Sequence, residues 1–79
     1  MAFAESEKEW AERVARHLKA ELKRAGVTYE ELALRLKEYG FDESKASITN
    51  KLSRATLSAH FFLASLAALG RNTLRVEDM

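Results

Sequence analysis

Residues 46–70 read ASITNKLSRATLSAHFFLASLAALG, and the character of the chain changes midway through them. From Ala46 to Arg54 only Ile48 and Leu52 are clearly apolar. They stand four apart, so in a helix they share one face. From Ala59 to Gly70 nearly every residue is apolar. The pattern predicts a short helix over 43–54, pinned to a core by two side chains and presenting hydrogen-bonding groups outward. It then predicts a central core helix over 59–69 that Gly70 closes, because glycine readily takes the left-handed conformation that ends a helix. On its inner side this helix is expected to carry Phe62, Leu63, Leu66, Ala67 and Leu69, with Phe61 partly exposed.

Working outward, the remaining glycines punctuate in the same way. Proline is absent, and Gly26 and Gly40 mark two further helix ends. A first helix is predicted over 6–25, opened by the capping-box pair Ser6 and Glu9. Trp10, Val14, Leu18, Leu22 and Ala25 form its apolar stripe, widened by Ala11 and Ala15. Glu12, Arg13, Arg16, Lys19 and Lys23 make a mixed, solvated face opposite. A second helix is predicted over 29–39, capped by Thr28 with Glu31, with Leu32, Ala33 and Leu36 facing inward and Tyr29 at an edge. Phe41 is expected to tuck back as a hydrophobic staple, and Asp42 or Ser44 to cap the third helix. The tail over 71–79 contains Thr-Leu-Arg-Val at 73–76, whose alternation predicts a short extended segment in need of a pairing partner.

Seventy-nine residues make one small domain, 1–79, and a chain of this size buries only about 60% of its unfolded surface. There is no cysteine, so no disulfide supports the core, as suits a reducing compartment. His17 and His60 stand far apart with no thiol partner, so no metal is expected, and each reads as an ordinary, partly exposed residue. No apolar run approaches the roughly 18 residues of a membrane span, and no basic start precedes an apolar block; a cytoplasmic protein is expected. The net charge is only +1, but its distribution is uneven. Acids crowd the first half, whereas Lys45, Lys51, Arg54, Arg71 and Arg75 follow with no acid among them.

The segment GVTYEELALRL at 26–36 resembles the opening of a Cro/C1-type, lambda-repressor-like helix-turn-helix domain. SKASITNKLSRATLSAHFFLASLAALG at 44–70 resembles the recognition helix of that family, its next core helix and its glycine stop. The chain departs from the family in two places: the connection KEYGFDE exceeds the usual three- to four-residue turn, and residue 55 is Ala where Gly is common. ITNKLSR with RNTLRVED also resembles a small bacterial family of unknown function, from Trp10 onward. The resemblance implies an all-α, compact four-helix domain with a short C-terminal tail, in which the third helix enters the major groove of DNA.

On the residues themselves, the outer face of that helix holds Ser44, Lys45, Ser47, Thr49, Asn50, Lys51 and Arg54. Asn bonds adenine bidentately, Ser and Thr serve several bases, and Lys and Arg suit guanine or phosphate. The first expectation is therefore a double-stranded-DNA-binding homodimer, a small transcriptional regulator using those seven residues. Its two-fold contact would lie at the 73–76 tail or on the Trp10 side of the first helix. The second is a protein-interaction module on the same fold, to which the low net charge and the acidic first half point. No nucleophile–base set, phosphate-cradling glycine loop or metal spacing is present, so no enzymatic activity, cofactor or small-molecule substrate is expected.

Overall fold

A computed structural model describes residues 3–79. The described residues form four helices, α1 (Glu7–Ala25), α2 (Tyr29–Lys37), α3 (Lys45–Arg54) and α4 (Ala59–Ala68), then a short 3-10 turn, Val76–Asp78. No strand forms among the described residues. The tail over 71–75 has no regular secondary structure, with Arg75 in extended backbone, but it finds no strand partner among the described residues, and Val76, expected to be extended, begins the 3-10 turn. Among the described residues no helix is long and apolar enough to cross a membrane.

The helix starts follow the capping residues. Ser6, Thr28, Ser44 and Ser58 each accept a hydrogen bond from the backbone N–H three residues on. The two expected capping boxes close on one side only. The Glu9 carboxylate accepts from the Glu5 N–H, and that of Glu31 from Arg35. The reciprocal box is at α3, where the Ser44 N–H donates to Ser47 Oγ at 2.8 Å and the Ser47 N–H to Ser44 Oγ at 3.1 Å.

All four helices end in one motif. The N–H groups of Val27, Phe41, Thr56 and Arg71 reach back to the carbonyls of Leu22, Leu36, Lys51 and Leu66. A left-handed residue precedes each: Gly26, Gly40, Ala55 and Gly70. This is the Schellman closure, and it ends α2 at Lys37, short of the expected 39. Ala55 adopts φ 54°, where a Cβ crowds the following carbonyl. Replacing Ala55 with Gly relieves that strain but loosens the unfolded chain and removes a half-buried methyl. A net gain of about 0.5–1 kcal/mol is expected, raising the melting temperature by roughly 2–8 °C in a calorimetric scan. An unchanged or lower melting temperature would show that methyl packing outweighs the strain.

The core joins Ala15, Leu18 and Leu22 of α1, Leu32, Ala33 and Leu36 of α2, Ile48 and Leu52 of α3, and Phe61, Phe62 and Leu66 of α4. Both α1 and α2 pack against α3 and α4. The radius of gyration is 12.2 Å, against about 12 Å for a close-packed chain of this length. Two expectations for α4 are corrected. Phe61 is buried, not partly exposed, while Leu63 is 57% exposed and Ala67 also faces out. The inward set is Phe61, Phe62, Ser65 and Leu66. Its outer stripe, Ala59, Leu63 and Ala67, carries no charge. On α1 the inward set gains Glu21, 6% exposed, whose carboxylate bridges Arg24 and Arg71 at 2.6 and 2.7 Å and so ties the tail to the helix; Ala25 is exposed. Trp10 is half-buried beneath Phe3, with ring centroids 5.9 Å apart.

Candidate nucleic-acid interface

Ile48 and Leu52 are buried, so α3 is pinned as the sequence suggests. Going round the helix from that anchor divides its polar residues into two groups. Lys45, Thr49, Asn50 and Arg54 are exposed. Side-chain partners among the described residues are absent for Lys45, Asn50 and Arg54. Thr49 Oγ1 donates to the Lys45 carbonyl at 2.8 Å, which keeps its hydroxyl close to the helix.

Ser44, Ser47 and Lys51 lie on the flank and are engaged within the protein. Ser44 and Ser47 cap the helix, and Ser47 Oγ also donates to Glu43 at 2.6 Å. The Lys51 ammonium bonds the other Glu43 oxygen and sits 4.5 Å from the centre of the Phe61 ring. The seven expected residues therefore lie on α3 or at its cap, three of them bonded within the protein and four exposed. Two residues outside that set, Ala46 and Ser53, complete the open face at helical spacing with Asn50. They are found by counting away from Ile48 and Leu52: the position opposite the anchors is residue 50, flanked by 46 and 53.

Glu43 is 9% exposed at its side chain. Burial pushes its carboxyl upward, but the hydrogen bonds from Lys51 and Ser47 and the Lys51 charge outweigh this and hold it below the ordinary glutamate value. Glu43 stands directly before the cap, so it fixes the start of α3 and, through Lys51, its side facing α4.

The cations of the second half are partly neutralised in the same way. Lys51 is matched by Glu43, Arg71 by Glu21, and Arg75 by Glu77 and Asp78. Of the five basic residues in the acid-free run, Lys45 and Arg54 remain without an ion-pair partner among the described residues. Arg54 does not stand alone. It lines a groove between α3 and α1, opposite Lys8, Arg16 and Lys19. That positive region was not legible in the sequence, because α1 places these cations among acids and only folding brings them beside Arg54.

The α2–α3 connection, residues 38–44, also shapes this surface. Phe41 does tuck back, but against α4: its ring meets Phe61 edge-on at 6.2 Å and stacks on His60 at 6.1 Å. It is not a staple, since the residue before the cap is Glu43. His17 lies edge-on to Phe62 at 6.1 Å.

Fold and site thus define an all-α domain, four helices among the described residues, with one polar, outward-facing helix beside a basic groove. The chain belongs to the family described as a domain of unknown function, DUF6471, whose profile matches residues 10–74. No curated protein and no solved structure matches the chain significantly.

Proposed function

We propose that this protein binds double-stranded DNA as a small transcriptional regulator, laying the outer face of α3 in the major groove. The observation that carries the reading is the open face of Thr49, Asn50, Ser53 and Arg54 on a helix anchored by Ile48 and Leu52. Asn50, at the centre, is the residue suited to a bidentate contact with adenine, and Arg54 to guanine or phosphate. Ser44, Ser47 and Lys51 hold the helix in place, and Lys45 sits at its phosphate-favouring N-terminal end. The succession of α2, a turn and α3 resembles a lambda-repressor-like helix-turn-helix, which supports the docking mode.

One such unit touches too few phosphates and bases for tight binding, so the protein acts as a homodimer on two half-sites about one helical turn apart. With no strand in the tail, the uncharged outer stripe of α4 is the better-suited two-fold contact. A surface that meets its own copy must avoid like charges at its centre, and Ala59, Leu63 and Ala67 carry none.

The test is fluorescence anisotropy with a random-sequence duplex pool at several salt concentrations, followed by selection of bound sequences. Binding is expected to weaken by roughly 0.9 log units per log unit of salt for each phosphate neutralised, with two chains per selected duplex. Asn50→Ala should cost roughly 1–3 kcal/mol on the selected site and relax preference at one position per half-site. No binding at low salt would overturn the reading. A protein-interaction module is the second reading, favoured by the exposed Leu34 and Leu63, at 61% and 57%. Its mark would be a partner held with little dependence on salt.

A further inference from the structure

We infer that the groove between α1 and the C-terminal end of α3 is a second DNA contact, a seat for backbone phosphates of a strand bordering the major groove that α3 enters. This rests on the DNA reading above and extends it to residues outside α3. Four cations surround the groove, Lys8, Arg16 and Lys19 from α1 and Arg54 from α3, with Glu12 the one carboxylate among its lining residues. All five are exposed.

That they cluster here outside the protein's own ion pairs is the informative feature. Arg24, Arg35, Lys51, Arg71 and Arg75 are each matched by an acid of the same chain. Lys8, Arg16, Lys19 and Arg54 have no such partner among the described residues. The protein has nearly as many acids as bases, 12 against 13, and Lys23, Lys37 and Lys45 are likewise outside its ion pairs, but four of the cations left by that pairing line this one groove. Like charges facing each other across a groove repel, and an anion entering between them relieves that repulsion.

Geometry selects the anion. The floor is made of small or apolar side chains, Ala11, Ala15 and Leu52, so a bulky anionic chain can approach closely without displacing polar groups. Arg54 belongs both to this groove and to the open face of α3. Packed helices lie about 8–10 Å apart axis to axis, and the major groove is about 12 Å wide. A duplex that receives α3 in its major groove therefore brings one bordering phosphate strand over the neighbouring helix, α1. Lys8, Arg16 and Lys19 recur along one face of that helix at a spacing that follows such a strand.

The test compares the unmodified chain with the double variant Arg16→Glu, Lys19→Glu and with Glu12→Gln, by anisotropy on the selected duplex and on a scrambled one. The double variant should lose at least tenfold in affinity on both duplexes. Its slope of log affinity against log salt should fall by about 1–2, since each lost phosphate contact removes about 0.9. The ratio between the duplexes should stay the same. Glu12→Gln, which removes a charge from an exposed position and leaves packing intact, should raise affinity roughly two- to fivefold.

Unchanged affinity and slope in the double variant, with Asn50→Ala still relaxing sequence preference, would overturn the phosphate seat and leave the α3 reading standing. Loss in the double variant with no effect of Asn50→Ala would retain the seat and overturn the α3 reading. An unmodified chain that fails to bind either duplex at low salt would overturn both. A double variant that loses its helical circular dichroism passes the decision to Glu12→Gln, where lack of any gain counts against the seat.

Discussion

Phe61→Ala is expected to lower the unfolding free energy by about 3–5 kcal/mol, the usual cost of emptying a core aromatic site. Phe61 is 1% exposed and is the largest fully buried side chain among the described residues. Its ring also meets Phe41 edge-on and carries the Lys51 ammonium on its face. The cavity would therefore loosen three things together: the α4 core contact, the α2–α3 connection and the side of α3 facing α4. A domain of this length has roughly 4–12 kcal/mol of stability in all, so the variant should be partly or largely unfolded at 37 °C. Urea denaturation followed by circular dichroism gives the difference directly. Leu63→Ala, two residues on but 57% exposed, should change the monomer by under about 0.5 kcal/mol. Comparable losses for the two would contradict the assignment of the inward face of α4.

That assignment marks where the sequence stops being legible, and the reason is physical. A face is read from contrast between apolar and polar positions. In α3 the contrast is strong, so Ile48 and Leu52 were identifiable as anchors and are buried. In α2 it is adequate, and Leu32, Ala33 and Leu36 all face inward. In α4 it nearly vanishes: AHFFLASLAA has no charged residue, so nothing distinguishes Phe61 from Leu63 except the partner helices. Helix ends were readable for a different reason, since caps and left-handed closures are local. Even the departure at Ala55 could be noticed in the sequence, and the structure shows that the closure is kept there at the expense of a strained φ. Charge pairing was not readable at all. Glu43 and Lys51 are eight apart and meet across the α3 start. Glu21 and Arg71 come from opposite halves of the chain. A basic run counted along the sequence therefore overstated the positive potential of α3 and its tail, and gave no sign that Arg54 would join Arg16 and Lys19.

Lys51→Glu is expected to destabilise the domain by about 2–3 kcal/mol near neutral pH, and to do so with a pH dependence opposite to that of the unmodified chain. The Lys51 ammonium satisfies the Glu43 carboxylate, which is largely covered, and rests on the Phe61 ring. Reversing the charge removes a charge-assisted bond and a cation–π contact and sets two carboxylates face to face. In the unmodified chain the folded-state pKa of Glu43 is depressed. Its contribution is therefore fully present above the ordinary glutamate value, about 4.3, and is lost as pH falls through the lower folded value. In the variant the facing carboxylates each raise the other's pKa, so folding becomes more favourable as pH falls and one of them takes up a proton. Melting temperatures between pH 3 and 7 should then fall on acidification for the unmodified chain but converge toward it from below for Lys51→Glu. Glu43→Gln should flatten this part of the profile. Parallel profiles for all three would show that the pair contributes nothing to folding. The same result governs how DNA binding is interpreted: weaker binding by Lys51→Glu would follow from a disturbed α3 whether or not the ammonium touches phosphate. Arg54 and Asn50, exposed and with no side-chain partner among the described residues, are the side chains whose replacement separates contact with DNA from maintenance of the helix that makes it.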